Sequence, residues 1–199
     1  MDLCKEANEI AHNVVLKVIY ITMIIISMAA IVTEVWVMFK TTNRILIHQN
    51  TRILIIVHQL WLILHCFTRI FAHTYTLIAY WKTYIDQCRY MMFPRECFMM
   101  RLPIILTSFL NAASVPTIVI ERAIATYFSS RYEKFGRSIA IILTMTQASI
   151  GTGSILYIFS DFKLLDSEKI VYCSGSSKEG APKLLRSWAF MRLLLSSLL

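Results

Sequence analysis

The 199 residues include 57% hydrophobic and only 16% charged side chains, with a net charge of +8 and a mean hydropathy of +0.59. A soluble domain usually carries roughly 25% charged residues, so an ordinary soluble domain is excluded. The positive charge could suggest nucleic acid, but the basic residues lie mostly between long apolar blocks, where lipid head groups would receive them; nucleic acid is therefore excluded and the lipid bilayer is the first partner.

Taken in chain order, the sequence predicts an all-α membrane protein with four spans, each near the ~20 apolar residues that cross a bilayer as a helix. Residues 1–13, with Asp2, Glu6 and Glu9, form an N-terminal tail. The first span, 14–39, is too long for a signal-peptide core and follows acidic residues, so it reads as a retained anchor. Glu34 lies near its Lys40 end, where a carboxylate can reach the interface. The second span is 53–80. A loop with Cys88 and Cys97 leads to the third, 102–126, with Pro103 in its first turn and Pro116 inside, where a kink is expected. In the fourth, 139–159, Ser149 and Gly153 would let another helix approach closely. Residues 161–183 form a polar loop. The tail 184–199, interrupted by Arg186 and Arg192, is an incomplete fifth span or an interfacial helix.

Two polar stripes cross these spans. His58, His65, Arg69 and Thr76 return to nearly one face of the second at steps of 7, 11 and 18. Thr107, Asn111 and Ser114 do the same on the third. Intramembrane polar groups usually face a bundle interior or a water-filled cavity. No metal is expected: His58 and His65 lie ~10 Å apart along a helix axis, and the five cysteines contain no C-x-x-C. No cofactor is implied. The motifs H-E-x-x-H, G-x-S-x-G and the phosphate loop are all missing, so an enzyme is not expected.

Sidedness comes from the loops. The links 40–52 and 127–138 carry Lys40, Arg44, Arg52, Arg131, Lys134 and Arg137; the other set has more basic residues in all, but over longer loops. Cys88, Cys97 and Cys173 fall on one side, and a Cys97–Cys173 bridge, with free thiols as the alternative, would mark that side as oxidising. The N-terminus is therefore expected outside.

Glu121 and Arg122 stand at the inner end of the third span, and the run Glu121-Arg122-Ala123-Ile124-Ala125-Thr126, then Tyr132-Glu133, resembles the E-R-x-x-A-T…Y-E signature of the nematode serpentine chemoreceptors of class epsilon. Classes alpha, beta and alpha-beta share parts of it. His48-Gln49-Asn50 resembles that family's H-x-N, and Arg69, Arg101 and Pro116 resemble further family positions; the resemblance covers roughly residues 14–160. It implies a chemosensory seven-helix receptor coupled to a heterotrimeric G protein. Glu121 and Arg122, with Tyr132 and Glu133, would form an ionic latch. His65, Arg69, Thr107 and Asn111 would line a pocket for a small molecule. Four spans against seven suggest an N-terminal fragment of such a receptor. The competing reading is a four-helix transporter subunit, channel or scaffold that uses the His58, His65, Arg69 stripe as a polar path.

Overall fold

A computed structural model describes residues 3–42, 48–128, 132, 136–159 and 171. The chain forms α1 (Leu3–His12), α2 (Val14–Thr42), α3 (Gln49–Trp81), a 3-10 turn (Gln87–Tyr90), α4 (Pro94–Tyr127) and α5 (Ser138–Phe159), and the described residues include no β-sheet. Four of these helices, α2 to α5, are long and apolar enough to cross a membrane.

The bundle buries polar side chains among apolar ones such as Leu54, Phe109, Leu110 and Ala113, and turns many large apolar side chains outward. Its buried positions include Ser27, Asn50, Thr51, Gln59, Thr107, Ser114, Thr117, Glu121 and Gln147. Val14, Val18, Ile25, Val32, Trp36 and Phe39 form an exposed stripe along α2, and Ile141, Ile142 and Met145 do so on α5. In water such a surface would drive association; lipid solvates it, and the backbone polar groups are satisfied within each helix.

The helices run past the apolar blocks. At 33 and 34 residues, α3 and α4 are about 50 Å long against a hydrocarbon core of about 30 Å. Beyond the core, water and head groups solvate side chains such as Arg95 and Glu96, so the helix does not need apolar residues to continue. Pro94, and not Pro103, therefore occupies the first turn of α4; Pro103 and Pro116 both lie inside it. The expected N-terminal tail is largely helical too. Ala7 and Ala11 of α1 are buried against Tyr20, Tyr80 and Tyr90. Asn13 then restarts the chain as the cap of α2, its Oδ1 accepting from the Val15 N–H at 2.9 Å.

Helix α3 packs on α2 and α4, and α4 packs on α5. Ser149 and Gly153 face outward, and nothing lies within 4 Å of a Cβ added at Gly153. The close approach is at Gly151, where a Cβ would meet Leu110 Cδ2 at 2.8 Å and Cγ at 3.1 Å. One turn away, Gln147 Nε2 donates to the Leu110 carbonyl at 2.7 Å. Gly151→Val should therefore cost about 2 kcal/mol by overpacking, while Gly153→Val stays within about 0.5 kcal/mol. Thermal unfolding in nanodiscs measures both.

Candidate functional site

The two polar stripes meet. Residues 51, 58, 61 and 65 of α3 face 121, 114, 111 and 107 of α4, in equal steps of 7, 3 and 4 run in opposite directions. Thr51 Oγ1 donates to Glu121 Oε2 at 2.8 Å. His58 Nδ1 and the Ser114 hydroxyl share a short hydrogen bond. Asn111 Nδ2 donates to the Trp61 carbonyl at 3.4 Å, and His65 Nδ1 pairs with Thr107 Oγ1 at 2.9 Å. Two antiparallel helices are thus held in one register by polar pairs in an apolar setting.

Such pairs between membrane helices contribute about 0.6 kcal/mol on average and up to about 1.7. A double-mutant cycle on His65→Phe and Thr107→Val should return a coupling within that range. Coupling near zero would mean that this pair does not hold the register.

At the Glu121 end the seam widens into a cluster. Glu121 is 0% exposed at the last turns of α4. Its carboxylate accepts from Thr51 and, through a very short bond, from the Tyr132 hydroxyl. Asn50 Nδ2 donates to the Tyr132 hydroxyl oxygen at 3.0 Å and to the Gly136 carbonyl at 2.7 Å. Gly136 has φ +52° just before α5, a left-handed conformation that glycine adopts freely. The His48 ring packs edge-on to Tyr132 at 4.6 Å. The Gln49 side-chain oxygen, turned to accept, receives both Arg137 Nε and Nη2 at 3.0 Å. Burial first, then the hydrogen bond to Glu121, pushes the Tyr132 phenol above its usual value of 10. Raising the value favours the protonated form, so Tyr132 remains a donor to Glu121 throughout the physiological range.

Arg122 lies apart from this cluster. Its Nε is 3.7 Å from Glu121 Oε2, and its side chain is 52% exposed. Neighbouring residues on a helix point in different directions, and an exposed ion pair contributes little. The strong partners of Glu121 are therefore Thr51 and Tyr132.

Thr126 bonds back to the Arg122 carbonyl at 2.9 Å on the exposed face of its own helix. Ala125 is half-buried beside it. Glu133 lies outside the described residues. His65, Thr107 and Asn111 hydrogen-bond across the α3–α4 seam, whereas Arg69 Nη2 turns to Met23 Sδ of α2 at 3.7 Å. A small cavity of about 20 Å³ opens nearer the other end of the bundle, lined by Tyr20, His73, Thr76, Tyr80 and Arg101 among others.

At that end Cys4 of α1 is bonded to Cys88 of the 3-10 turn. Cys97, in the first turns of α4, is also in a disulfide, while Cys173 lies outside the described residues. Cys66 is the free cysteine among the described residues. Those residues also contain no group of three or more His, Cys, Asp or Glu that could hold a metal ion.

Two contributors escaped the sequence reading. Thr51 lies seven residues before His58, and continuing the stripe one step back would have found it. Cys4 carries no comparable signal, because its pairing depends on how α1 folds over the bundle.

The family model for the serpentine type 7TM GPCR receptor class ab chemoreceptor matches residues 1–196. No curated protein and no solved structure matches the chain. The match gives class ab where the E-R-x-x-A-T…Y-E run points to class epsilon; the superfamily is the same. That run supplies Glu121 and Tyr132 to the cluster, and a motif shared in part among classes separates them poorly. A chemoreceptor family does not favour the channel or transporter reading of the His58, His65 and Arg69 stripe.

Proposed function

The chain belongs to the serpentine class ab chemoreceptors, a seven-helix G-protein-coupled family, and we propose that its Glu121 cluster is the resting-state latch and Arg122 its contact with the G protein. It is an integral, multi-pass membrane protein. The single observation that carries the latch is the complete burial of Glu121 between Thr51 and Tyr132. One carboxylate joins the start of α3, the end of α4 and the link toward α5. Breaking it frees three segments at once, which is what a two-state switch requires.

A ligand acts on such a switch only through unequal affinity for its two states. Here α4 carries the influence, since it reaches from the Cys97 end to Glu121. In the open state Tyr132 leaves Glu121, and the cleft beside the already exposed Arg122, with Glu133 of the same motif as a proposed further contact, receives the G protein. Residues His48 and Asn50 act as positioning residues for Tyr132.

The Glu121 end faces the cytoplasm in this reading, and the N-terminus is outside. The support is chemical: the Cys4–Cys88 bridge and the bonded Cys97 lie at the opposite end, and disulfides persist in oxidising compartments. Cys173 is the proposed partner of Cys97, which would tie the loop after α5 to the start of α4. The pocket for the chemical signal lies at this outer end, and His65, Arg69, Thr107 and Asn111 form the floor beneath it.

The test is nucleotide exchange by a G protein reconstituted with the receptor in nanodiscs. Arg122→Ala should abolish stimulated exchange while changing stability by less than about 0.5 kcal/mol. Full exchange by Arg122→Ala would remove Arg122 from the coupling surface.

A further inference from the structure

We propose that the cavity lined by His73 and Arg101 is a binding site for a small carboxylate. The His73 ring is fixed by stacking on Tyr20 at 5.3 Å and 28°. Its Nε2 is buried and has no hydrogen-bond partner among the described residues. A buried polar atom without a partner costs about 1–3 kcal/mol, and a ligand oxygen would recover that. Arg101 lines the same cavity, and no Asp or Glu does. Arg101 has contacts of its own, but a guanidinium carries five donors, so an incoming oxygen adds to them.

Size and depth agree with this chemistry. The cavity volume of about 20 Å³ is little more than the roughly 10–15 Å³ that admits one water, so at most the carboxylate head enters it and the alkyl portion rests at its mouth. Met92 and Met100 complete the wall with apolar surface suited to a short alkyl portion. His73 stands eight residues from the Trp81 end of α3 and Arg101 seven from the Pro94 end of α4, or about 10–12 Å along each axis. Both helices overrun the hydrocarbon core by roughly 10 Å at each end. The site therefore lies at the edge of the core, where an ionised group is tolerable. Ala7 and Ala11 of α1 pack on Tyr20 and Tyr80 of its wall, so α1 buttresses the wall without lining the cavity. A carboxylate donor-lined in this way would draw α3 and α4 together at the end opposite Glu121.

This assignment rests on the receptor reading only in supposing that a ligand acts at this end. The experiment needs no G protein, so its failure leaves the latch standing, and failure of nucleotide exchange leaves this site standing. Calorimetric titration of the full chain in phosphatidylcholine nanodiscs with sodium propionate, at fixed ionic strength, should give saturable binding. His73→Phe should raise Kd about tenfold, the equivalent of one hydrogen bond to a charged group. Ala72→Leu, which fills the cavity from its wall, should remove binding and serves where His73→Phe does not fold. Oleic acid added to the bilayer distinguishes the sources: displacement of propionate identifies a lipid-borne acid, and no displacement a soluble one, each within the proposal. No saturable propionate binding would overturn it and leave a trapped water as the occupant. Equal binding of 1-propanol, or unchanged Kd in both variants, would overturn it as well.

Discussion

Glu121→Ala should raise ligand-independent nucleotide exchange and lower stability by about 3 kcal/mol. The size follows from the groups left behind. Thr51 is 1% and Tyr132 3% exposed, and each hydroxyl would lose its acceptor in a setting where water does not replace it, at about 1–3 kcal/mol apiece. Loss of the Arg122 contact adds little, because that pair is long and half-solvated. Tyr132→Phe should act in the same direction and less strongly, since Thr51 still reaches Glu121. Asn50 would then retain only its bond to the Gly136 carbonyl. Glu121→Gln separates charge from shape: it keeps the volume but offers one oxygen to two donors. Exchange rates read the switch and thermal unfolding reads the packing. If Glu121→Ala is destabilised but basally silent, the cluster is structural cement and the latch is elsewhere.

The spans were legible in the sequence because lipid imposes a single requirement, a long apolar block. Their ends were not. Arg95, Glu96 and Arg101 lower the hydropathy before residue 102, yet backbone hydrogen bonding continues through them once the helix has left the core. The stripes were legible from spacing alone, since steps of seven keep one face of a helix. Which stripe meets which was not, because the α3–α4 register depends on the turn at Gln87–Tyr90, held by Asp86 on the Cys88 N–H and Tyr90 on the Lys82 carbonyl. The motif residues illustrate a further limit. His48, Asn50, Glu121 and Tyr132 stand far apart in sequence, and similarity to a family marks them together without saying why. The hydrogen bonds supply the reason: Asn50 holds Tyr132, and Tyr132 holds Glu121. Arg122 shows the converse, a residue conspicuous in the motif but outside the buried network.

Reducing the Cys4–Cys88 bond should release α1 while leaving the four-helix bundle folded. The bridge spans 84 residues, and a free chain closed over that length would be stabilised by about 4–5 kcal/mol. That figure is an upper bound here, because the bilayer already confines α2 and α3 and only the segments around α1 and the 3-10 turn gain freedom. The effect is therefore local. A ten-residue helix is marginal in water by itself, and α1 fully buries only the small side chains Ala7 and Ala11, with Ile10 half-buried beside them. Hydrogen exchange on nanodisc-held receptor should show the amides of α1 losing protection after dithiothreitol, which also opens the Cys97 bond, with α3 and the part of α4 beyond its first turns unchanged. Cys88→Ser should reproduce this without reductant. Because α1 packs on Tyr20 and Tyr80 of the His73 cavity wall, the same treatment should loosen that wall and speed exchange of propionate with solvent. Continued protection of α1 after reduction would mean that its packing on Tyr80 and Tyr90 suffices, and the bridge would then be a safeguard and not what holds α1 on the bundle.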